Sequence, residues 1–233
     1  MDFQVIASGS TGNCYLVDDG ETKLLIEAGV PIATIQKSCG YHLADCSGCL
    51  VSHCHGDHAA HVGALLKKGV DIYASGGTIA ACKWVGHRVH PISAQVLFSC
   101  GSWICLPFDT DHDAPEPLGF LLQSTVTQEK LLYFTDTPKL RFRFTNVSVI
   151  AAECNYDRDT LMQAVESGTT PIEAVARICK SHMGLGSLLQ MLGSNDFSSL
   201  QRIYLIHLSN RHADEKLIKR AVQEAAGVEV IIC

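Results

Sequence analysis

The segment SHCHGDHAAH, residues 52 to 61, places four imidazoles and one carboxylate within ten residues. It follows the apolar run CLV and continues into AAHVGALLKK, residues 59 to 68, which has a helical pattern, so it is predicted to form a tight connection from a strand to a helix. In an extended segment, side chains two residues apart face the same way, so His53 and His55 converge. As the chain turns, Asp57 and His58 approach a neighbouring point.

These four side chains indicate a metal site, because neutral imidazole and carboxylate are good ligands for zinc, manganese and iron. Two converging pairs favour two metal ions over one. The alternative is a surface turn that happens to be rich in histidine, and this spacing disfavours it. His61 falls early in the following helix and is interpreted as a surface or supporting residue.

Composition restricts the remaining possibilities. The chain has 233 residues, 47% hydrophobic and 18% charged, with a net charge of −6, which is typical of a compact globular protein and argues against wrapping long nucleic acid. No apolar run approaches a membrane span and the N-terminus lacks signal-peptide features, so a cytoplasmic location is predicted. The cysteines are interpreted as reduced core residues, with a structural zinc site on Cys39, His42, Cys46 and Cys49 as the weaker alternative.

The pattern along the chain predicts an α/β fold. Three short apolar runs at the N-terminus read as an antiparallel meander, and strands precede helices in each half. We therefore expect two mixed sheets packed face to face with helices outside, in a single domain spanning residues 1–233. Thr170, Pro171 and Glu173 predict a helix start with a capping box.

A two-metal site needs ligands from other parts of the chain. His112, Asp136 and His207 each follow a predicted strand, where loops can converge. Each of them alone also fits a surface loop or a satisfied core histidine, but together they complete a ligand set.

With these motifs, the sequence resembles the metallo-β-lactamase superfamily. The H-x-H-x-D-H hallmark is met by His53, His55, Asp57 and His58, and the later motifs follow in order. The segments ASGSTGNCYLV, LLIEAG, DHDAPEPLGF, FTDT and AECNYD are similar to those of the YycJ-like branch, which is related to RNase Z and to phage anti-Pycsar cyclic nucleotide phosphodiesterases. The resemblance implies an αββα sandwich and phosphodiester hydrolysis.

The resemblance also implies the metal assignment. One cation would be held by His53, His55 and His112, the other by Asp57, His58 and His207, with Asp136 bridging the two. Zinc is expected, with manganese or iron as alternatives. The sequence departs from the family at two positions: Glu27 stands where Asp is usual, and Tyr156 stands where a histidine is usual, so no role is carried over to Tyr156.

Beyond the metals, the resemblance points to catalytic side chains. His182 matches a histidine that touches the scissile phosphate in RNase Z-like enzymes, and Glu153 matches its glutamate partner. Asp57 is predicted to be catalytic as well as a ligand. The alternative for His182 is helix capping. Ser209 and Asn210 are predicted to bind substrate phosphate, and a cap on the last helix fits them equally well.

The expected activity is metal-dependent hydrolysis of a nucleotide phosphodiester, with two cations lowering the pKa of the attacking water. A cyclic mononucleotide is the preferred substrate, because the chain is acidic and shows no long arm for grasping RNA. The alternatives are a YycJ/RNase Z-like nuclease acting on DNA or RNA and a non-catalytic metal-binding scaffold. The aromatic residues of RFRF, residues 141 to 144, are expected to pack inward rather than stack on a nucleotide. A homodimer is implied by the resemblance alone.

Overall fold

The computed structural model describes residues 1–233, and the chain divides into two compact units. Unit 1 comprises residues 1–109 and 114–130, and unit 2 comprises residues 110–113 and 131–233. The single-domain organisation stays a prediction. None of the helices combines the length and the apolar character that crossing a bilayer requires.

Unit 1 contains a mixed six-stranded sheet. The first three strands pair antiparallel, as the sequence predicts, and each later strand pairs parallel with the one before it. In chain order and sheet order the strands are β1 (Asp2–Ala7), β2 (Cys14–Asp18), β3 (Lys23–Ile26), β4 (Cys46–Leu50), β5 (Ile72–Ser75) and β6 (Val89–Ile92). Three further strands form an antiparallel meander in the same unit: β7 (Phe98–Cys100), β8 (Trp103–Asp109) and β9 (Leu118–Ser124).

Four helices complete unit 1: α1 (Ile32–Ser38), α2 (Gly56–Ala59), α3 (Val62–Lys67) and α4 (Gly76–Cys82). Ile35 of α1 and Leu65 of α3 are fully buried in one apolar cluster with strand residues such as Leu25. This burial removes apolar surface from water and stabilises the sheet face that they cover.

Four cysteines of unit 1 belong to this core: Cys14, Cys39, Cys46 and Cys49. Cys39 and Cys46 are buried with their sulfurs 3.9 Å apart, whereas the thiol of Cys49 faces the carbonyl of Leu50. His42 is exposed. These positions agree with reduced core cysteines rather than with the alternative structural zinc site.

Unit 2 is built on four parallel strands that are adjacent in chain order: β10 (Lys130–Phe134), β11 (Val149–Glu153), β12 (Arg202–Ile206) and β13 (Glu229–Ile232). Every residue of β11 is buried, as expected for a central parallel strand. The helices are α5 (Arg158–Glu166), α6 (Ile172–Ser181), α7 (Leu185–Ser194) and α8 (Glu215–Ala226).

The helix boundaries test the local predictions. Helix α8 is followed by Gly227, whose φ of 68° is a left-handed conformation that suits glycine. The capping box predicted for α6 is wrong. Pro171 occupies the cap position and no side chain caps the helix, because the Thr170 hydroxyl instead hydrogen-bonds His212 Nε2 at 2.8 Å.

Candidate active site

The histidine-rich turn lies at the carboxyl end of β4 in unit 1. His53 Nε2 and His55 Nδ1 are 3.1 Å apart. Two imidazoles bound to one tetrahedral zinc at 2.0–2.1 Å place their nitrogens about 3.3 Å apart, so this pair has ligand spacing. The Ser52 hydroxyl lies 2.9 Å from His53 Nδ1 and fixes the ring with Nε2 facing His55.

The second pair of the turn lies in α2. Asp57 Oδ2 and His58 Nε2 are 3.4 Å apart. Glu27 supports this pair from the end of β3: its carboxylate lies 3.6 Å from His58 Nδ1 and accepts the Ser52 N–H at 3.3 Å. Glu27 is fully buried with a φ of 65°, a conformation that is uncommon outside glycine. Glutamate is one methylene longer than the aspartate that the family resemblance implies at this position. Its contacts with Ser52 and His58 show that its carboxylate still reaches the histidine-rich turn.

Two backbone segments hold the turn in place. The Asn13 N–H donates to the Asp57 carbonyl at 2.7 Å, and the Asn13 amide lies 3.3 Å from His58 Nε2. The Ala28 N–H donates to the His58 carbonyl at 2.7 Å. A Cβ on Gly29 would overlap the backbone carbonyl of Asp57, so only glycine permits this close approach.

A second polar cluster lies at the carboxyl ends of the parallel strands in unit 2. Asp136 follows β10, Glu153 ends β11 and His207 follows β12. Asp136 and His207 have φ values of 49° and 54°, and such strained backbone in non-glycine residues tends to accompany functional sites. With His182, these residues offer four ligand atoms that all lie within 4.8 Å of one another.

Glu153 organises this cluster. It is fully buried, and its Oε1 lies 2.7 Å from His182 Nδ1 and 3.2 Å from His207 Nδ1. Its Oε2 accepts the backbone N–H groups of Thr137 and Met183 at 3.2 and 3.1 Å. Burial and the charge of Asp136 raise the pKa of Glu153, but the hydrogen bonds from the two histidines hold it below its ordinary value.

His182 lies between two carboxylates. Its Nδ1 is 2.7 Å from Glu153 Oε1 and 3.0 Å from Asp136 Oδ1. Burial lowers the pKa of His182, but the hydrogen bonds to the two carboxylates raise it to about 10. Because Nδ1 is engaged by the carboxylates, Nε2 is the ring atom left to face a ligand.

His112 also belongs to unit 2. The centre of its ring is 6.2 Å from that of His182. Its loop is held by the Asp111 N–H, which donates to the Thr137 hydroxyl at 3.1 Å. His112 is thus placed beside the cluster that contains Asp136 and Glu153.

Ser209 and Asn210 lie just after His207. The Ser209 hydroxyl is 3.1 Å from His212 Nδ1 and accepts the Arg211 N–H, whereas Asn210 is exposed. Capping of α8 by either residue is wrong, because Asp214 accepts the first free N–H groups of that helix. Substrate binding by Ser209 and Asn210 stays a prediction.

Tyr156 follows β11, at the position where the family resemblance leads us to expect a histidine. It forms a backbone bridge with Gly184, and its ring fills the space where a Cβ on Gly184 would point, 2.5 Å from Cζ. Gly184 lies two residues after His182, so the tyrosine packs against the loop that carries this histidine.

Sequence reasoning missed several supporting residues. Asn13, Gly29 and Thr137 lie in the family-like segments ASGSTGNCYLV, LLIEAG and FTDT, but the segments by themselves do not show what these residues contact. Asn155 donates its amide N–H to the His207 carbonyl at 3.0 Å. Asn155 lies in AECNYD, another of the family-like segments.

The donor atoms of both units fit divalent metals. The pairs His53–His55 and Asp57–His58 have ligand spacing, and the cluster around Asp136 offers carboxylate and imidazole at the ends of adjacent strands. Nitrogen and oxygen donors of this kind suit zinc or manganese.

Comparisons with known proteins agree with this chemistry. A sequence profile described as the metallo-beta-lactamase superfamily matches residues 7–81, which include the histidine-rich turn. The chain is 27% identical to exodeoxyribonuclease YycJ of Bacillus anthracis, covering 96% of this chain and 88% of the relative. It is 25% identical to exodeoxyribonuclease WalJ of Streptococcus pneumoniae, covering 98% and 91%.

The fold is similar to that of a solved protein. The crystal structure of the metallo-beta-lactamase fold protein YhfI from Bacillus subtilis matches with a TM-score of 0.74 at 18% identity, covering 99% of this chain and 95% of that one. This chain has the metallo-β-lactamase fold. The predicted resemblance and the predicted α/β fold class are confirmed. In this metallo-β-lactamase-fold protein, the profile match contains the H-x-H-x-D-H residues of the histidine-rich turn but not His112, Asp136 or His207.

Proposed function

We propose that this protein is a metal-dependent phosphodiesterase that hydrolyses nucleotide phosphodiester bonds. The observation that carries the proposal is the cluster in which Glu153 and Asp136 hold His182 at strand ends that also carry His207. The ligand spacing of the histidine-rich turn and the exonuclease names of the two relatives support it.

The proposed ligand set is the one that the family resemblance implies. His53, His55 and His112 would hold one cation, Asp57, His58 and His207 would hold the other, and Asp136 would serve both. Zinc is proposed, with manganese as the alternative. Glu153 is not proposed as a ligand, because each of its oxygens already accepts two N–H groups. The homodimer and the cytoplasmic location stay predictions.

The side chains of the protein have separate tasks. When bound, the cations supply Lewis acidity and a water of lowered pKa. Asp57 accepts a proton from the attacking water. His182, fixed at Nδ1 by Glu153, donates a proton from Nε2 to the oxygen that leaves phosphorus.

Two classes of substrate contain a nucleotide phosphodiester bond that this site could hydrolyse. A nucleic acid strand is the first candidate, because both relatives that match nearly the whole chain are named exodeoxyribonucleases. A cyclic mononucleotide, preferred on sequence grounds, is the second candidate, and the net charge of −6 favours it.

Turnover of bis-p-nitrophenyl phosphate by the metal-loaded protein tests the proposed function. We expect metal-dependent hydrolysis by the wild type, and loss of both bound metal and turnover in Asp136→Ala. The control is Asp159→Ala, which removes an exposed carboxylate in the first turn of α5. An Asp136→Ala protein that kept its metal and its rate would defeat the assignment.

A parallel panel separates the substrates. The metal-loaded protein is incubated with cyclic CMP, UMP, AMP and GMP, and with single- and double-stranded DNA and RNA. Cleavage of cyclic nucleotides alone would reverse the order of the two candidates.

A further inference from the structure

Two cavities of unit 2 share the side chain of Lys139. The first has a volume of about 750 Å³ and is lined by His112, Arg177, Lys180 and Ser181 among others. The second, of about 280 Å³, is lined by Arg141, Arg143 and Asn195 among others. Lys139 lines both cavities, so they adjoin at this side chain, and the two together are called the groove.

The charge of this groove differs from that of the chain. The whole sequence has 18 basic and 24 acidic residues. Five basic residues line the groove against two acidic ones: the bases are Lys139, Arg141, Arg143, Arg177 and Lys180, and the acids are Asp111 and Asp113. Arg141 forms an ion pair with Asp111, which neutralises that carboxylate. The groove is therefore a local concentration of positive charge on an acidic protein.

The groove begins at residues adjacent to the candidate site. Ser181 directly precedes His182, and His112 is one of the proposed ligands. From there it continues past Lys139 to the second cavity, whose lining includes no acidic side chain. Positive side chains at successive positions along a path suit a ligand with a repeating negative charge.

We propose that this groove binds the backbone phosphates of a single-stranded polynucleotide that flank the bond being cleaved. Arg177 and Lys180 contact the phosphate next to the scissile one, and Arg143 contacts a phosphate further along the strand. A cyclic mononucleotide carries one phosphate and occupies only the first cavity. The inference rests on the proposed function, because it places the strand beside the His182 cluster.

The aromatic residues of the segment RFRF, residues 141 to 144, take no part in the proposed phosphate contacts. Phe144 is buried and Phe142 is half-buried, whereas Arg141 and Arg143 are exposed. The predicted inward packing of the aromatic side chains is correct for Phe144. The arginines remain at the surface, where phosphate can reach them.

Fluorescence anisotropy of a labelled, hydrolysis-resistant phosphorothioate oligothymidylate, measured over a range of NaCl concentrations with the metal-loaded protein, tests the groove. The variant Arg143→Gln/Arg177→Gln removes two of its charges. We expect weaker binding and a salt slope that falls by about 1.4, since each phosphate contact to a single strand contributes about 0.7. The same measurement with an oligouridylate separates DNA from RNA as the bound strand, and the measurement with a duplex separates single-stranded from double-stranded nucleic acid.

The matched control is Lys219→Gln/Arg220→Gln, which removes two exposed charges of α8 outside the groove. It is expected to keep the affinity and salt slope of the wild type. Thermal unfolding and metal content of both variants check that each is folded and loaded.

The outcomes are distinct. Equal salt slopes for the groove variant and the wild type, or no binding of any single strand, would overturn the groove even where bis-p-nitrophenyl phosphate is hydrolysed. Strand binding that depends on Arg143 and Arg177 supports the groove whether or not that substrate is turned over. Failure of turnover alone counts against the proposed phosphodiesterase.

Discussion

At the scale of single residues, the candidate site depends on side chains that act through their neighbours. Glu153 accepts two backbone N–H groups and lies within hydrogen-bond distance of Nδ1 of His182 and of His207. It therefore fixes the two histidines together. In the histidine-rich turn, Glu27 accepts the Ser52 N–H and lies 3.6 Å from His58 Nδ1. A buried carboxylate satisfied in this way holds the imidazoles in one tautomer and orientation.

The proton donor can be tested with two leaving groups. His182→Ala is expected to lower kcat by about 10²- to 10⁴-fold on a thymidine dinucleotide, whose leaving alkoxide needs a proton. The loss on bis-p-nitrophenyl phosphate is expected to be much smaller, since p-nitrophenolate leaves without one. Steady-state kinetics on both substrates measure the ratio, with the exposed His42→Ala as control. Equal losses on the two substrates would contradict proton donation.

The contact of Gly29 with the histidine-rich turn predicts a steric effect. Gly29→Ala places a methyl group on the Asp57 carbonyl, so the free energy of unfolding is expected to fall by about 1–3 kcal/mol or more. Urea denaturation measures this change. Gly63→Ala in α3 is the control: its Cβ meets nothing within 4 Å, and the change is expected to stabilise the protein by up to about 1 kcal/mol. A Gly29→Ala protein as stable as the control would show that the turn yields easily.

At the scale of elements, the residues of the candidate site in unit 2 lie at the carboxyl ends of parallel strands. Strands β10, β11 and β12 are adjacent and parallel, so Asp136, Glu153 and His207 emerge at the same edge of the sheet. The loop between α6 and α7 brings His182 to that edge. Tyr156, which follows β11, packs against Gly184 at the start of α7.

This packing predicts a coupling between Tyr156 and Gly184. Gly184→Ala alone is expected to displace the His182 loop and to lower both stability and kcat. Tyr156→Ala removes the clashing ring, so the double variant is expected to recover part of the loss, with a coupling energy of about 0.5–3 kcal/mol. Unfolding and kinetics of the four proteins measure the cycle, and Gly186→Ala, whose Cβ meets nothing within 4 Å, is the control. Additive effects would mean that the ring does not position the loop.

At the scale of the whole molecule, charge and metal binding decide the behaviour. The net charge of −6 disfavours extended contact with nucleic acid, yet five of the 18 basic residues line one groove in unit 2. Polar side chains such as His58 and Glu27 are also buried, which costs free energy. Bound cations would offset part of this cost.

Metal removal should therefore destabilise the folded protein. A ligand that binds only the folded state at 100 times its Kd adds about 2.7 kcal/mol to the free energy of unfolding. We expect the chelated protein to unfold at lower denaturant concentration, and added zinc or manganese to restore the midpoint. Asp136→Ala is expected to respond less to added metal. A midpoint that does not depend on metal in the wild type would contradict the proposed ligand set.

The sequence by itself determined the histidine-rich turn, the antiparallel strands at the N-terminus, the α/β class and the metallo-β-lactamase resemblance. The reason is that these signals are local: His53, His55, Asp57 and His58 lie within one turn, and hydrophobic period marks the first strands. Only the tertiary structure showed that Asn13 and Gly29 hold this turn, that Glu153 joins two histidines, and that separate basic residues line one groove. Those contacts join segments tens of residues apart, and neither local spacing nor net charge encodes them.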